Sequence, residues 1–240
     1  MSESLPPSLP PNAGLMRALR RLVRGLSALF WGLPVTLLVS VQSAGSDWLR
    51  DLGVLPPVVA TGLLLYGLIE MGHFQRQERP WREALELTRL FALVNVGLSP
   101  FVFLWSKVPQ EPFFTQAVGL LALSCVLFLA ALNRSLQRLA AMLPDETLRE
   151  ETRMFANLNL WLMVSVLLLI LLHRVITQLF DSAPGGTPGL FIILLNLLSE
   201  EEARRFLLLF LVLLPLSITM TMIWKIKEVV LGGVFGGQSP

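Results

Sequence analysis

The chain has 240 residues, 54% of them hydrophobic and only 15% charged, with a mean hydropathy of +0.65. Charged residues make up about a quarter of an ordinary soluble domain, so this composition excludes a water-surrounded fold and leaves a lipid bilayer as the main solvent. The net charge of +2 comes from dispersed basic residues, which excludes the concentrated basic patch of a nucleic-acid binder, and the single Cys125 excludes an intrachain disulfide or a thiolate zinc site.

Residues 1–13 hold four prolines, Pro6, Pro7, Pro10 and Pro11, and no apolar periodicity, so they read as a disordered, solvated tail. From Gly14 onward, Leu15, Met16, Leu19, Leu22 and Val23 stand opposite Arg17, Arg20, Arg21 and Arg24 at helical spacing. This pattern predicts an amphipathic helix lying on an anionic leaflet ahead of the first crossing.

Six apolar stretches follow, each about long enough to cross a bilayer at ~1.5 Å per residue: Gly25 to Ser46, Leu52 to Ile69, Leu90 to Ser106, Pro112 to Asn133, Met154 to His173 and Phe206 to Trp224. The expected fold is an all-α polytopic bundle over residues 14–232, closed by a Gly-rich tail at 233–240. Val41-Gln42-Ser43 before Ala44 resembles a signal-peptide cleavage site, but the long basic region ahead of the first stretch favours a retained crossing.

The loops fix the predicted threading. Arg17, Arg20, Arg21 and Arg24 share a side with Arg76, Arg79, Arg82 and Arg89, with Arg134, Arg138, Arg149 and Arg153, and with Lys225 and Lys227. That side carries 14 basic residues; the other has only Arg50, Lys107, Arg174, Arg204 and Arg205. The asymmetry predicts six spans with both termini cytoplasmic, and a bacterial inner (plasma) membrane is the default location.

Within this frame, Trp31 marks an interface and Pro34 a kink in the first span, while Pro56 and Pro57 belong to the first turn of the second helix, which is expected to end around Glu78. Pro80 restarts the chain, with Trp81, Ala84, Leu85 and Thr88 supplying a mostly apolar face, and Ser99-Pro100 predicts a kink in the outer half of the third span.

Periodicity continues past Asn133 through Leu136, Leu139 and Met142 before Pro144 stops it, and Asp145 is placed to cap the helix beginning at Glu146. A helical hairpin around 134–153 is therefore expected to project into the cytoplasm. Its charged face of Glu146, Arg149, Glu150 and Arg153 is the candidate partner-docking element.

On the outer side, Pro184-Gly185-Gly186 and Pro188-Gly189 break the chain. The short apolar run around 189–198 reads as an interfacial or re-entrant helix, and Ser199-Glu200-Glu201-Glu202 as a capping box for the sixth helix.

Motifs for chemistry are sparse. Glu200-Glu201 followed by Arg205 is similar to the E-E-x-x-x-R signature of CAAX-protease-like intramembrane metalloproteases over six residues, but no histidine follows His173 to supply that family's later ligands. A rhomboid-type nucleophile segment and a phosphate-cradling glycine loop are both missing from the sequence. Glu70-Met71-Gly72-His73 gives half of a carboxylate-bridged metal motif without the other half.

What remains is a set of polar residues at similar predicted depth near the cytoplasmic side: Glu70, His73, Asn95, Asn133, Asn157 and Asn159. An ionisable group at the edge of a bilayer is costly unless paired, wetted or protonated, and asparagines on neighbouring spans serve as interhelical adhesive. The expected function is a non-enzymatic scaffold or accessory subunit, with no cofactor and no nucleic-acid partner. Its expected partners are the lipid bilayer and other membrane-complex proteins or copies of itself, and the alternative is a small-solute or ion transporter or channel centred on Glu70.

Overall fold

The computed structural model describes residues 13–45, 52–74, 78–143, 145–181 and 201–235, and within some helices it leaves side chains undescribed. Of the described residues 92% are helical and none is in a strand, so the fold class is all-α. The helices are α1 (Ala13–Gly45), α2 (Leu55–Met71), α3 (Arg79–Leu98), α4 (Pro100–Lys107), α5 (Pro112–Ala141), α6 (Glu146–Asp181) and α7 (Glu201–Phe235). Three described segments are long and apolar enough to cross a membrane: Met16–Gly45, Arg79–Lys107 through α3 and α4, and Pro112–Ala141. The apolar α2, with 17 residues, spans about 25 Å.

Proline sets most of the helix starts. Proline occupies the first turn of α2, α3, α4 and α5, where its missing amide would have had no intrahelical partner. α6 begins instead on the cap read from the sequence: Asp145 Oδ1 accepts from the Leu148 amide at 3.2 Å and from the Thr147 hydroxyl at 2.6 Å. These bonds, the Thr147 hydroxyl first and then the Leu148 amide, hold the Asp145 carboxyl below its ordinary pKa.

The Ser99-Pro100 break appears as the junction of α3 and α4. Pro100 cannot donate to the carbonyl four residues back, that of Val96, and the Ser99 hydroxyl donates to it instead at 2.9 Å. Ser99→Ala is expected to cost ~1 kcal/mol by leaving this carbonyl bare, and the cost should shrink in Ser99→Ala/Pro100→Ala, which restores a backbone donor. Unfolding of the purified variants decides it: equal losses in the single and double variants would refute the substitution of one donor for the other.

Helix pairing follows from small residues and hydroxyls. α1 and α2 run antiparallel in close contact, with the Thr36 hydroxyl donating to the Ala60 carbonyl at 3.0 Å near one end and Gly25 against Gly67 and Met71 near the other. A Cβ built on Gly25 would stand 2.6 Å from the Gly67 carbonyl oxygen, so only glycine admits this approach. Thr61 to Ser99 and Arg89 to Leu68 set α2 against α3, and Thr88 to Ser135 at 2.9 Å sets α3 against α5. α7 packs on α5, α6 and α1, the last through Phe30 and Trp224.

These pairings gather the start of α1, the end of α2, the start of α3, the α5–α6 turn and the later part of α7 at one end of the bundle. The core concentrates there: Leu22, Leu26, Leu29, Leu68, Met71, Trp81, Leu132, Leu136, Leu139, Met222, Ile223 and Ile226 are at most 2% exposed. The outward surface is strongly apolar; Trp31 is 65% and Trp161 71% exposed, an arrangement stable only where lipid replaces water.

Two expectations are corrected. The basic N-terminal segment is not a separate surface helix: α1 runs unbroken from Ala13 to Gly45, through Pro34. Leu22 and Leu26 are consumed in the bundle core and so are unavailable to a leaflet, although Arg17, Arg20, Arg21 and Arg24 stay exposed. α2 ends at Met71, not around Glu78: Gly72, whose amide still bonds the Leu68 carbonyl, and His73 form a turn there, and the Arg89 guanidinium lies over the same end, donating to the Leu68 and Ile69 carbonyls. The short run around 189–198, Ser199, Glu200, and the tails apart from Ala13 and residues 233–235 lie outside the described residues.

Candidate functional site

The polar residues singled out at one depth do not form a single cluster. Asn133 of α5 and Asn159 of α6 meet, and what joins them is Thr219 of α7. The Thr219 hydroxyl accepts from Asn133 Nδ2 at 3.1 Å and from Asn159 Nδ2 at 3.0 Å. Its own proton reaches the Pro215 carbonyl at 2.8 Å, with Asn133 Oδ1 at 3.2 Å as the longer option. Asn159 Nδ2 also donates to Pro215 O at 3.2 Å, and Asn133 Nδ2 to its own helix at Leu129 O, 2.9 Å.

Three helices are thus pinned at one point by side chains that are 0 to 4% exposed. Each interhelical bond of this kind contributes ~0.6 kcal/mol and at most about 2. Asn159 Oδ1 alone in the group is buried without a hydrogen-bond partner.

The other candidates stand apart. Asn157 is exposed on α6. Asn95 is buried on α3, and its Oδ1 also has no hydrogen-bond partner. Glu70 sits at the end of α2, partly buried, with Oε2 shielded from solvent and unpartnered. Of the basic residues that follow it, Arg76 lies outside the described residues, and Arg89 donates through Nε and Nη2 to Leu68 O at 3.2 and 2.9 Å and through Nη2 to Ile69 O at 3.2 Å. His73 Nδ1 lies 3.0 Å from the same Ile69 carbonyl, turned back toward the end of α2.

The end of α2 is consequently capped by a side chain from α3. A cationic guanidinium is well suited to the negative end of a helix dipole, and here it adds donors to the Leu68 carbonyl, which also accepts the Gly72 amide, and to the Ile69 carbonyl. Gly72 makes room for it: a Cβ there would lie 2.7 Å from Arg89 Cζ. Trp81, 2% exposed, closes the same corner by donating its indole N–H to the Phe74 carbonyl at 3.2 Å. Between these groups lies an open cleft of about 370 Å³, lined by Ile69, His73, Arg82, Glu86 and Arg89 among others.

At the hairpin, Glu146, Arg149, Glu150 and Arg153 are all exposed, as a docking face requires. Arg149 is partly committed within the chain, since its Nη2 donates to the Ala141 carbonyl at 3.1 Å and closes the end of α5. The neighbouring Glu151 pairs with Lys225, whose ammonium also lies 5.6 Å over the Phe155 ring, and this contact ties α6 to α7.

Sequence reasoning missed Thr219, Arg89 as a cap, and the Thr88–Ser135 pair. Thr219 follows a proline by four residues in an otherwise apolar helix, and a proline in a span marks where side chains from neighbouring helices reach backbone carbonyls. Among the described residues no three His, Cys, Asp or Glu side chains come together as a metal site. Comparison with protein families, with curated proteins and with solved structures found no match to this chain.

Proposed function

We propose that the chain is a six-span integral protein of a bacterial inner membrane, with both termini cytoplasmic, acting as a non-enzymatic scaffold or accessory subunit of a membrane complex. The observation that carries this reading is how the bundle spends its polar groups. Asn133 and Asn159 both bond to Thr219, leaving one amide oxygen of the group, Asn159 Oδ1, without a partner, and Thr88 bonds to Ser135, which supports adhesion between helices over a solute path. Mixed charge, by contrast, stands exposed at the α5–α6 turn. The six-span threading is supported by the alternating direction of neighbouring helices together with the 14 to 5 split of basic residues between the two ends.

One observation favours the second reading, a proton or cation pathway: the buried, unpartnered Oε2 of Glu70. The two are separated by reversing charge at Glu146, Arg149, Glu150 and Arg153 together, and independently by Glu70→Gln. As a scaffold, the chain loses its co-purifying membrane proteins in the first variant and keeps them in the second. The opposite result is a wild-type cation leak into proteoliposomes that Glu70→Gln abolishes, with the co-purified set unchanged by charge reversal. That outcome would overturn the scaffold in favour of the pathway.

A further inference from the structure

We propose that the cleft between the end of α2 and the start of α3 binds the phosphate-bearing headgroup of an anionic membrane phospholipid. The cleft holds about 370 Å³, near the lower end of the ~300–1,000 Å³ range of small-molecule sites, which suits a headgroup without its acyl chains. Arg82, Arg89 and His73 line it against one carboxylate, Glu86, so its charge balance is positive.

The groups have distinct parts. Arg89 lies across the end of α2 and neutralises the Leu68 and Ile69 carbonyls, which would otherwise repel a phosphate. Arg82 lines the cleft, and among the described residues it is held by a long 3.6 Å contact to Glu86 in which both side chains are more than half exposed. A pair so wetted is weak and exchanges readily for a phosphate oxygen. His73 lines the cleft with its Nδ1 anchored on the Ile69 carbonyl, and the buried Trp81 makes a rigid wall.

The surroundings point to lipid and not to a soluble phosphate compound. Ile69 is both part of the cleft wall and 46% exposed, and the exposed Tyr66 continues from it along α2. On α3, Leu90 and Leu93, 55% and 57% exposed, continue from Glu86 at helical spacing in the same direction. Two apolar tracks therefore lead from the charged cleft along the outside of the bundle, where acyl chains attached to a bound headgroup would lie. Basic pockets between spans on the cytoplasmic side are where anionic headgroups are held.

The test is native mass spectrometry of the purified full chain in neutral detergent, titrated separately with phosphatidylglycerol, phosphatidylcholine and inorganic phosphate. The wild type is expected to retain phosphatidylglycerol over phosphatidylcholine. Arg82→Gln should bind it about five-fold more weakly and Arg82→Gln/His73→Gln more weakly again, while Arg134→Gln, on the exposed face of α5, binds as the wild type does. An unchanged thermal midpoint confirms that each variant is folded. Equal retention of both lipids, or wild-type retention by the double variant, overturns the site. Binding of inorganic phosphate that depends on Arg82 without matching phosphatidylglycerol binding overturns the lipid assignment.

Discussion

Gly25→Val is expected to be among the most damaging single substitutions in the chain, lowering stability by about 1–3 kcal/mol. The first added carbon already meets the Gly67 carbonyl oxygen at 2.6 Å and the Met71 amide nitrogen at 3.0 Å, and both are backbone atoms of α2 that cannot rotate aside. The helices must separate, and with them go the Thr36–Ala60 bond and the packing of Leu26, Leu29 and Leu68. In a bilayer this matters more than in water, because lipid solvates a leucine as well as a neighbouring helix does and close packing is the main attraction left. The control is Gly97→Val: a Cβ at Gly97 meets nothing within 4 Å, so this variant reports only the cost of a β-branched residue in a helix. Unfolding of both in mild detergent by denaturant decides the matter; if the two lose stability equally, close approach of α1 and α2 is not what holds them.

Thr219→Val is the second. It keeps the shape of the side chain and removes the hydroxyl that serves both Asn133 and Asn159, so two buried amides lose a partner at once. A loss of about 1–3 kcal/mol is expected, with Thr219→Ser recovering most of it. A double-mutant cycle of Asn133→Leu and Thr219→Val should give a coupling of roughly 0.6 to 1.7 kcal/mol. Additive losses would mean that the two side chains touch without contributing to each other.

The parts of the fold that local chemistry dictates were legible in the sequence. Pro56, Pro80, Pro100 and Pro112 each open a helix, and Asp145 caps α6, because these are rules of a few neighbouring residues. An expected depth along the membrane was legible as well, through the charged loops. Rotation about each helix axis was not. Asn157 and Asn159 share a depth, but two residues turn a helix by about 200°, so only one of them can face the bundle, and it is Asn159. The end of α2 was misjudged for a related reason: the residue that covers it, Arg89, is 21 positions away from Leu68 and reaches it only once α3 folds back. The leucines of the N-terminal segment are ambiguous in the same way, because one stripe of Leu22 and Leu26 serves a lipid surface or a protein core equally well.

The three-helix junction has a consequence for biosynthesis. Thr219 lies 86 residues after Asn133 and 60 after Asn159, so it leaves the ribosome well after both amides. Throughout that interval the amides of α5 and α6 face hydrocarbon or one another without their eventual partner. The junction can close only once Thr219 has been made, and a ribosome stalled before it would leave an intermediate in which α5 and α6 lack this tie.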